Sequence, residues 1–283
     1  MTQPDADQVL PADQVAGAGA GLPASGLAAG DPLSPEAQQA KDEFISVRGT
    51  WGESWEAIAR LDPAFLHAYT TFSGLPFRDG GVLDAKVKEF IFIAIDSAAT
   101  HLYTPGIRQH VRAALDVGAT PAEIMEVLEL TATLGIHACN VGVPLLLEVL
   151  REEGLLDQAP PLDERRQQLK QDFQTNRGYW NEIFDGILQL DPDLLEAYTQ
   201  FSSVPWESGT LDPKVKEMIY IAFDASATHL FAPGLKLHLR NAIRYGATVP
   251  ELMELLAIVS VIGIHAVTTA APILAEELRA TAQ

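Results

Sequence analysis

Six of the seven histidines occur in pairs whose members are 128 residues apart. The pairs are His101 and His229, His110 and His238, and His137 and His265. His67 has no such partner, because Glu196 stands at the matching position. Imidazole exchanges protons near neutral pH and is a common metal ligand. The six paired histidines are therefore the first candidates for a catalytic or binding site.

Two acidic residues recur beside these histidines in the sequence. Glu89 and Asp96 lie seven residues apart, which places them on one face of a helix. Asp96 falls within an apolar segment, where a carboxylate must be paired or must face a cavity. A carboxylate next to an imidazole fixes its tautomer and raises its basicity, as general acid–base catalysis requires. We assign the catalytic role to Glu89, Asp96, His101, His110, Glu217, Asp224, His229 and His238.

The same residues are consistent with two other hypotheses. Three histidines with an open coordination position are typical of catalytic zinc or iron sites. His101, His110 and His137 would then be the ligands of a divalent metal, with Glu89 or Asp96 as an oxygen ligand. In the third reading the histidines are structural, and the chain is a non-catalytic helical binding or assembly protein. The acid–base reading needs no cofactor.

The histidine pairs belong to a tandem repeat of most of the chain. Leu-Asp-x-Lys-Val-Lys-Glu begins at Leu83 and Leu211, and Gly-Ile-His-Ala begins at Gly135 and Gly263. This repetition predicts one unit at 36–160 and a second at 161–283. Consecutive prolines at 160 and 161 mark the joint, because proline interrupts a helix. Residues 1–35 form an Ala/Gly/Pro-rich segment that we expect to be a flexible tail.

The elements that position these residues are predicted to be helices. Asp62-Pro63 combines an N-cap with a proline in the first helical turn, and the pattern recurs at Asp191. The segment after Asp84 has apolar residues at three- and four-residue spacing. Gly118 and Gly246 are typical helix C-terminal residues. We expect an all-α fold with about six helices in each repeat.

Composition limits the classes of partner. The formal net charge is −19, which disfavours binding to a phosphate backbone, so no nucleic-acid partner is expected. No run of eighteen residues consists of apolar side chains alone, and we expect no membrane partner. Cys139 is the single cysteine, so the chain has no internal disulfide, and a reducing, cytoplasmic location is expected.

The order of the motifs resembles the carboxymuconolactone decarboxylase / alkylhydroperoxidase D-like family. Leu-Asp-x-Lys-Val-Lys-Glu is followed by a histidine segment, by His-x-Arg-x-Ala and by Gly-Ala-Thr-x-x-Glu, once in each repeat. The peroxidase branch of that family uses a Cys-x-x-Cys pair. His101 and Thr104 stand at those places in the first repeat, and His229 and Ala232 in the second. The dithiol peroxidase mechanism is therefore excluded.

The resemblance to the cysteine-free branch implies a cofactor-independent decarboxylase or lactone-processing enzyme. Members of that branch assemble as trimers or hexamers, so three tandem chains would form a pseudo-hexamer. The implied substrate is a small carboxylated molecule of aromatic compound catabolism. An arginine would orient its carboxylate and a histidine would supply or remove a proton. The candidate substrate-binding residues are Tyr103, Arg108, Arg112, His137, Arg240 and His265.

The two repeats are chemically unequal. Tyr103, Thr104, Arg108 and Gln109 of the first repeat are replaced by Phe231, Ala232, Lys236 and Leu237 in the second. The first repeat thus keeps a hydroxyl and a bidentate donor that the second lacks. From the sequence we expect the first site to be the more active one.

Overall fold

The computed structural model describes residues 31–78, 80–156 and 161–281, and these residues form helices and connections with no β-strand. The all-α prediction is confirmed. In chain order the helices of this part are α1 (Pro35–Arg48), α2 (Glu53–Leu61), α3 (Pro63–Gly74), α4 (Ala85–Ser97), α5 (Thr104–Asp116), α6 (Pro121–Ala132), α7 (His137–Glu152), α8 (Glu164–Arg177), α9 (Asp185–Leu190), α10 (Pro192–Glu207), α11 (Pro213–Ala225), α12 (Ala232–Arg244), α13 (Val249–Ser260) and α14 (Ile264–Thr281). Short 3-10 turns lie at Leu75–Phe77, Thr133–Ile136, Glu182–Phe184 and Val261–Gly263. Most of the predicted tail, and most of the residues at the joint, lie outside the described residues.

The helices begin and end where the sequence provides caps. Asp84 accepts a hydrogen bond from the Lys86 backbone N–H at the start of α4, and Asp212 does the same at α11. Thr120 and Thr248 begin α6 and α13 with complete capping boxes. Gly118 adopts φ 87°, a left-handed conformation that glycine reaches without steric cost. The same local chemistry therefore builds the same helices in both repeats.

The larger compact unit, residues 71–266, is built around α4 and α11. These repeat-related helices pack against each other, and most of their residues are buried. Helix α5 packs on α4 and α12 packs on α11, while α6 and α13 each contact both central helices. The two repeats therefore share one core here.

Helix α7, at the end of the first repeat, packs on the opening helices of the second repeat. Cys139 and Val143 of α7 lie against the core around Phe173 and Phe184. Gly186 of α9 permits the close approach, because a Cβ at that position would lie 2.7 Å from Cγ1 of Val143. In this way α7 completes the core of the other repeat.

The smaller compact unit comprises residues 31–70 and 267–281 of the described chain. Phe44, Ile58 and Leu66, from the first repeat, form a core with Ala271 and Ala275 of α14, from the second. The last helix of each repeat thus packs on the first helices of the other. The compact units consequently differ from the repeat boundaries predicted at 36–160 and 161–283.

Two long helical stretches, Pro121–Glu152 and Val249–Thr281, are apolar and long enough to cross a membrane by length and composition alone. Each consists of two helices joined by a 3-10 turn, and about a third of the most apolar window is buried in each. Helices of soluble cores also meet this criterion. The expectation of no membrane partner therefore stays a prediction.

Candidate functional site

Asp96, His101 and His265 form a cluster within the larger compact unit. Nε2 of His101 lies 2.8 Å from Nδ1 of His265, and Oδ1 of Asp96 lies 3.6 Å from the same Nδ1 atom. The Tyr103 ring stacks on His265 with ring centroids 3.8 Å apart. We call Asp96, His101 and His265 the first triad.

The second triad consists of Asp224, His229 and His137, and it has nearly the same geometry. Nδ1 of His137 lies 2.7 Å from Nε2 of His229 and 3.7 Å from Oδ1 of Asp224. Phe231 stacks on His137 with a centroid distance of 3.9 Å, in the place that Tyr103 takes in the first triad. The two triads are therefore related by the same repeat as the sequence.

Each triad combines the acid and one histidine of one repeat with a histidine of the other. The trio predicted as metal ligands, His101, His110 and His137, does not form, because His101 meets His265 while His137 meets His229. The physical reason is that α7 and α14 leave their own repeats to pack on the other one. A comparison of sequences at a fixed offset cannot distinguish these two pairings.

A tight turn after each central helix brings the triad together. The Tyr103 backbone N–H donates to the Asp96 carbonyl at 2.8 Å, and Leu102 takes a left-handed φ of 52°. This turn returns the chain beside the Asp96 carboxyl. A Cβ at Gly106 would lie 2.0 Å from Oδ2 of Asp96, so only glycine allows α5 to approach this closely. Likewise, a Cβ at Gly234 would lie 2.4 Å from Oδ2 of Asp224.

Burial controls the ionisation of the triads. It raises the pKa of Asp96 and of Asp224 to about 8, and the charge of Glu217 adds to the effect at Asp224. Burial, followed by the charges of neighbouring histidines, lowers the pKa of His137 and of His265 to about 3. At neutral pH each triad therefore holds a mostly protonated carboxyl group next to a neutral imidazole, and it can both donate and accept a proton.

These pKa values predict how stability depends on pH. The folded state binds more protons than the unfolded state between the ordinary aspartate pKa and about 8, so the two carboxyls destabilise the fold as pH rises through this range. The lowered pKa values of His137 and His265 act in the opposite direction, but only below about pH 6.5. Between pH 6.5 and 8 we expect a loss of up to about 2 kcal/mol per carboxyl.

Urea unfolding in EDTA at a series of pH values measures this loss. The double variant Asp96→Asn/Asp224→Asn should show almost no decline in stability between pH 6.5 and 8, since neither amide titrates. Asp193→Asn, which changes an exposed carboxylate paired with Arg165, is the control and should keep the wild-type slope. An unchanged slope in the double variant would contradict the prediction.

A Glu–His pair accompanies each triad. Nδ1 of His110 lies 2.7 Å from Oε2 of Glu89, and Nδ1 of His238 lies 2.6 Å from Oε2 of Glu217. When Nδ1–H donates to the carboxylate, Nε2 is the acceptor nitrogen and can take a proton from a substrate or water. In the second pair, Asn241 also donates to Glu217, at 3.2 Å.

The second Glu–His pair and the second triad open onto one cavity. His137 and His238 both line it, and its empty volume is about 430 Å³, including the part open to solvent. We call it the His238 pocket. Its other polar lining includes Arg177, Asn140 and three tyrosines, Tyr179, Tyr198 and Tyr220. Sequence reasoning missed Arg177, although the recurrence of Arg48-Gly49 as Arg177-Gly178 was a signal for it.

The predicted substrate-binding residues fall into two groups. Tyr103, His137 and His265 lie in or against the triads. The side chains of Arg108, Arg112 and Arg240, by contrast, are exposed on α5 and α12. Thr104 and Gln109 are exposed as well, so the residues that favoured the first repeat are mostly on the surface.

Comparison with known proteins gives a consistent result. The sequence profile of the carboxymuconolactone decarboxylase family matches residues 63–146 and 192–277. A crystal structure from Burkholderia xenovorans, described as a candidate gamma-carboxymuconolactone decarboxylase subunit, is 56% identical, with a TM-score of 0.84. The alignment covers 88% of this chain and 100% of that one. A search of curated proteins found no match. Because the family profile matches both repeats over more than half of the chain, the protein belongs to the carboxymuconolactone decarboxylase family.

Proposed function

We propose that the protein is a cofactor-independent enzyme that decarboxylates or opens a small carboxylated lactone or a related acid. The observation that carries the proposal is the His238 pocket, in which the partly buried His137 and a second histidine, oriented by a carboxylate, face one cavity. Family membership supports a decarboxylase-like activity. Oriented histidines in a water-poor pocket are the groups that proton transfer to or from carbon and oxygen requires.

Either reaction can be written with the residues of this chain. In lactone opening, Nε2 of His238 accepts a proton from water while the water oxygen attacks the carbonyl, and the ring oxygen leaves with that proton. In decarboxylation, the bond to the carboxylate breaks and carbon dioxide leaves. The electron pair stays on the conjugated carbon, and protonated His238 donates a proton to it. Glu217 stabilises the imidazolium in both cases.

The activity can be tested on purified protein with a panel of probes: a carboxylated unsaturated γ-lactone, an uncharged lactone and a β-keto acid. Carbon dioxide release and the loss of ultraviolet absorbance report the two reactions. The double variant His110→Ala/His238→Ala should lose at least about 100-fold in kcat. His67→Ala, which changes an exposed histidine outside the pocket, should keep full activity. Turnover that survives in the double variant, or no turnover of any probe, would refute the proposal.

A metal-dependent enzyme is the second candidate, and the triads favour it. Asp96, His101 and His265 each offer a ligand atom, and these atoms all lie within 4.8 Å of one another, as do those of the second triad. One carboxylate and two imidazoles suit zinc or iron. Elemental analysis distinguishes the candidates. A metal enzyme would be favoured by stoichiometric metal that falls by half in His265→Ala and disappears in His137→Ala/His265→Ala, together with activity lost in EDTA.

We further propose a homo-oligomer, a trimer of tandem chains arranged as a pseudo-hexamer. The similar Burkholderia protein is described as a subunit. Helix α7 exposes the apolar side chains of Val141, Leu145, Leu146 and Val149, and a patch of this kind is typical of an interface. A small-molecule partner and a cytoplasmic location, with no nucleic-acid partner, complete the proposal. The net charge of −19 supports the last point.

A further inference from the structure

Arg177 is a buried cation, and no acid among the described residues forms an ion pair with it. Its side chain lies at the end of α8 with 3% exposure and lines the His238 pocket. Nη1 donates to the Ser202 carbonyl at 3.1 Å and Nη2 donates to the Tyr220 hydroxyl at 3.0 Å, and both acceptors are neutral. Its Nε atom has no hydrogen-bond partner in the described structure.

Glu217, the acid whose charge acts on Arg177, already has other hydrogen-bond partners. Glu217 acts on the guanidinium electrostatically but bonds to His238 and Asn241 instead. A buried guanidinium without an anion in contact carries a large desolvation cost, which an anionic ligand would offset. Arginine is also the side chain best suited to hold a carboxylate through two parallel hydrogen bonds.

A second unsatisfied polar atom lines the same pocket. Oδ1 of Asn140 is buried and has no hydrogen-bond partner among the described residues. Buried polar atoms are normally bonded, and exceptions are often places where a ligand or water completes the network. The pocket therefore presents an unmatched cation and an unmatched acceptor.

The remaining walls are aromatic. The cavity is lined by Tyr179, Tyr198, Phe223 and Phe231. The guanidinium carbon of Arg177 lies 5.6 Å from the ring centroid of Trp206. Planar rings stack on aromatic walls of this kind.

We infer that the His238 pocket binds a planar aromatic or unsaturated cyclic carboxylate, that Arg177 holds its carboxylate, and that Asn140 accepts a hydrogen bond from a hydroxyl group on its ring. The inference rests on the proposed function only in taking this ligand to be the substrate or product. It gives the carboxylate to Arg177 rather than to the exposed Arg108 or Arg112. It also makes the His238 pocket the main binding site, whereas the sequence predicted that the site of the first repeat would be the more active one.

The arginine recurs as Arg48, but each repeat lacks some of the polar groups that accompany Arg177 in the His238 pocket. Phe92 stands where the second repeat has Tyr220, so the hydroxyl that accepts from Arg177 is missing. Thr268 stands at the position that matches Asn140. One tight carboxylate site per chain is therefore expected.

Calorimetric titration of the full chain at pH 7 tests the inference, with benzoate as the anionic probe and benzamide as its neutral match. Wild type should bind about one benzoate per chain, at least about tenfold more tightly than benzamide. Arg177→Gln should abolish this preference, and Arg108→Gln should keep it. Tyr220→Phe, which copies the side chain of the first repeat and so should fold, should weaken benzoate binding several-fold.

Equal affinity of wild type for benzoate and benzamide would overturn the inference, and so would an unchanged benzoate affinity in folded Arg177→Gln and Tyr220→Phe. These outcomes are independent of turnover. Binding through Arg177 without turnover of any probe would refute the proposed enzyme but leave this site standing. Turnover with benzoate binding unaffected by both variants would do the reverse.

Discussion

Alanine at His137 and alanine at His229 should give the same catalytic defect, although the two residues belong to different repeats. Their ring nitrogens are 2.7 Å apart, so a proton passes between them only when both rings are present, and Oδ1 of Asp224 lies 3.7 Å from His137. Residues that act as a unit give non-additive losses. Each single variant should lower the turnover of the second triad by about 10²- to 10⁴-fold, which leaves the kcat of the whole chain at the share of the first triad, and the double variant should be no worse than either one.

The matched comparison uses histidines of the same repeat. His101 and His137 belong to different triads that work in parallel, so His101→Ala/His137→Ala should lose the sum of the turnover that the two single variants lose. The measurement is steady-state kcat and kcat/KM for the single variants His101→Ala, His137→Ala and His229→Ala. The double variants His137→Ala/His229→Ala and His101→Ala/His137→Ala are measured in the same way. Additive losses for His137 with His229, or coupling between His101 and His137, would show that catalytic units follow the sequence repeats instead.

Much of the fold could be predicted because its determinants are local. The capping threonine at 120 and the glycine at 118 each act through their own neighbours in the chain, and both recur in the second repeat. The Glu–His pairs were also within reach. Glu89 and His110 are close in sequence, and the contact between α4 and α5 joins them within one repeat.

The pairing of the triads could not be predicted, because it depends on where α7 and α14 pack. The apolar faces of these helices fit the opening helices of either repeat equally well as sequence patterns. Packing at Gly186 against Val143 shows which partner is chosen, and this choice moves His137 next to His229. Duplication preserves residue types at an offset, but it does not record which copy supplies a given contact.

The role of Arg177 escaped sequence reasoning for a different reason. Arg108 and Arg112 lie close in sequence to the recurring histidines, so they were the natural choice for a carboxylate. A helix that packs on a core by one face leaves its other face in solvent, however, and these two side chains lie on the solvent face. Arg177 ends a helix 40 residues before Glu217 in the chain, and tertiary packing brings it to the pocket.

Replacing Lys216 by methionine should destabilise the fold by about 3–5 kcal/mol, because it leaves a buried carboxylate without its partner. Nζ of Lys216 lies 3.0 Å from Oε1 of Glu126, and both side chains are 4% exposed. Glu126 also accepts hydrogen bonds from the backbone N–H groups of Thr210 and Leu211. This pair ties α6 of the first repeat to α11 of the second, so it stabilises the shared core that places the triads.

Lys214→Met is the matched control on the same helix. Its partner Glu251 lies 2.8 Å away, but the Lys214 side chain is 29% exposed, so the loss should stay within about 1 kcal/mol. Urea unfolding of both variants at pH 7 measures the difference. The double variant Glu126→Gln/Lys216→Met should recover part of the stability, because the unpaired buried charge is then removed. Equal effects of Lys214→Met and Lys216→Met would mean that solvent reaches Glu126, and that apolar packing rather than this ion pair joins the repeats.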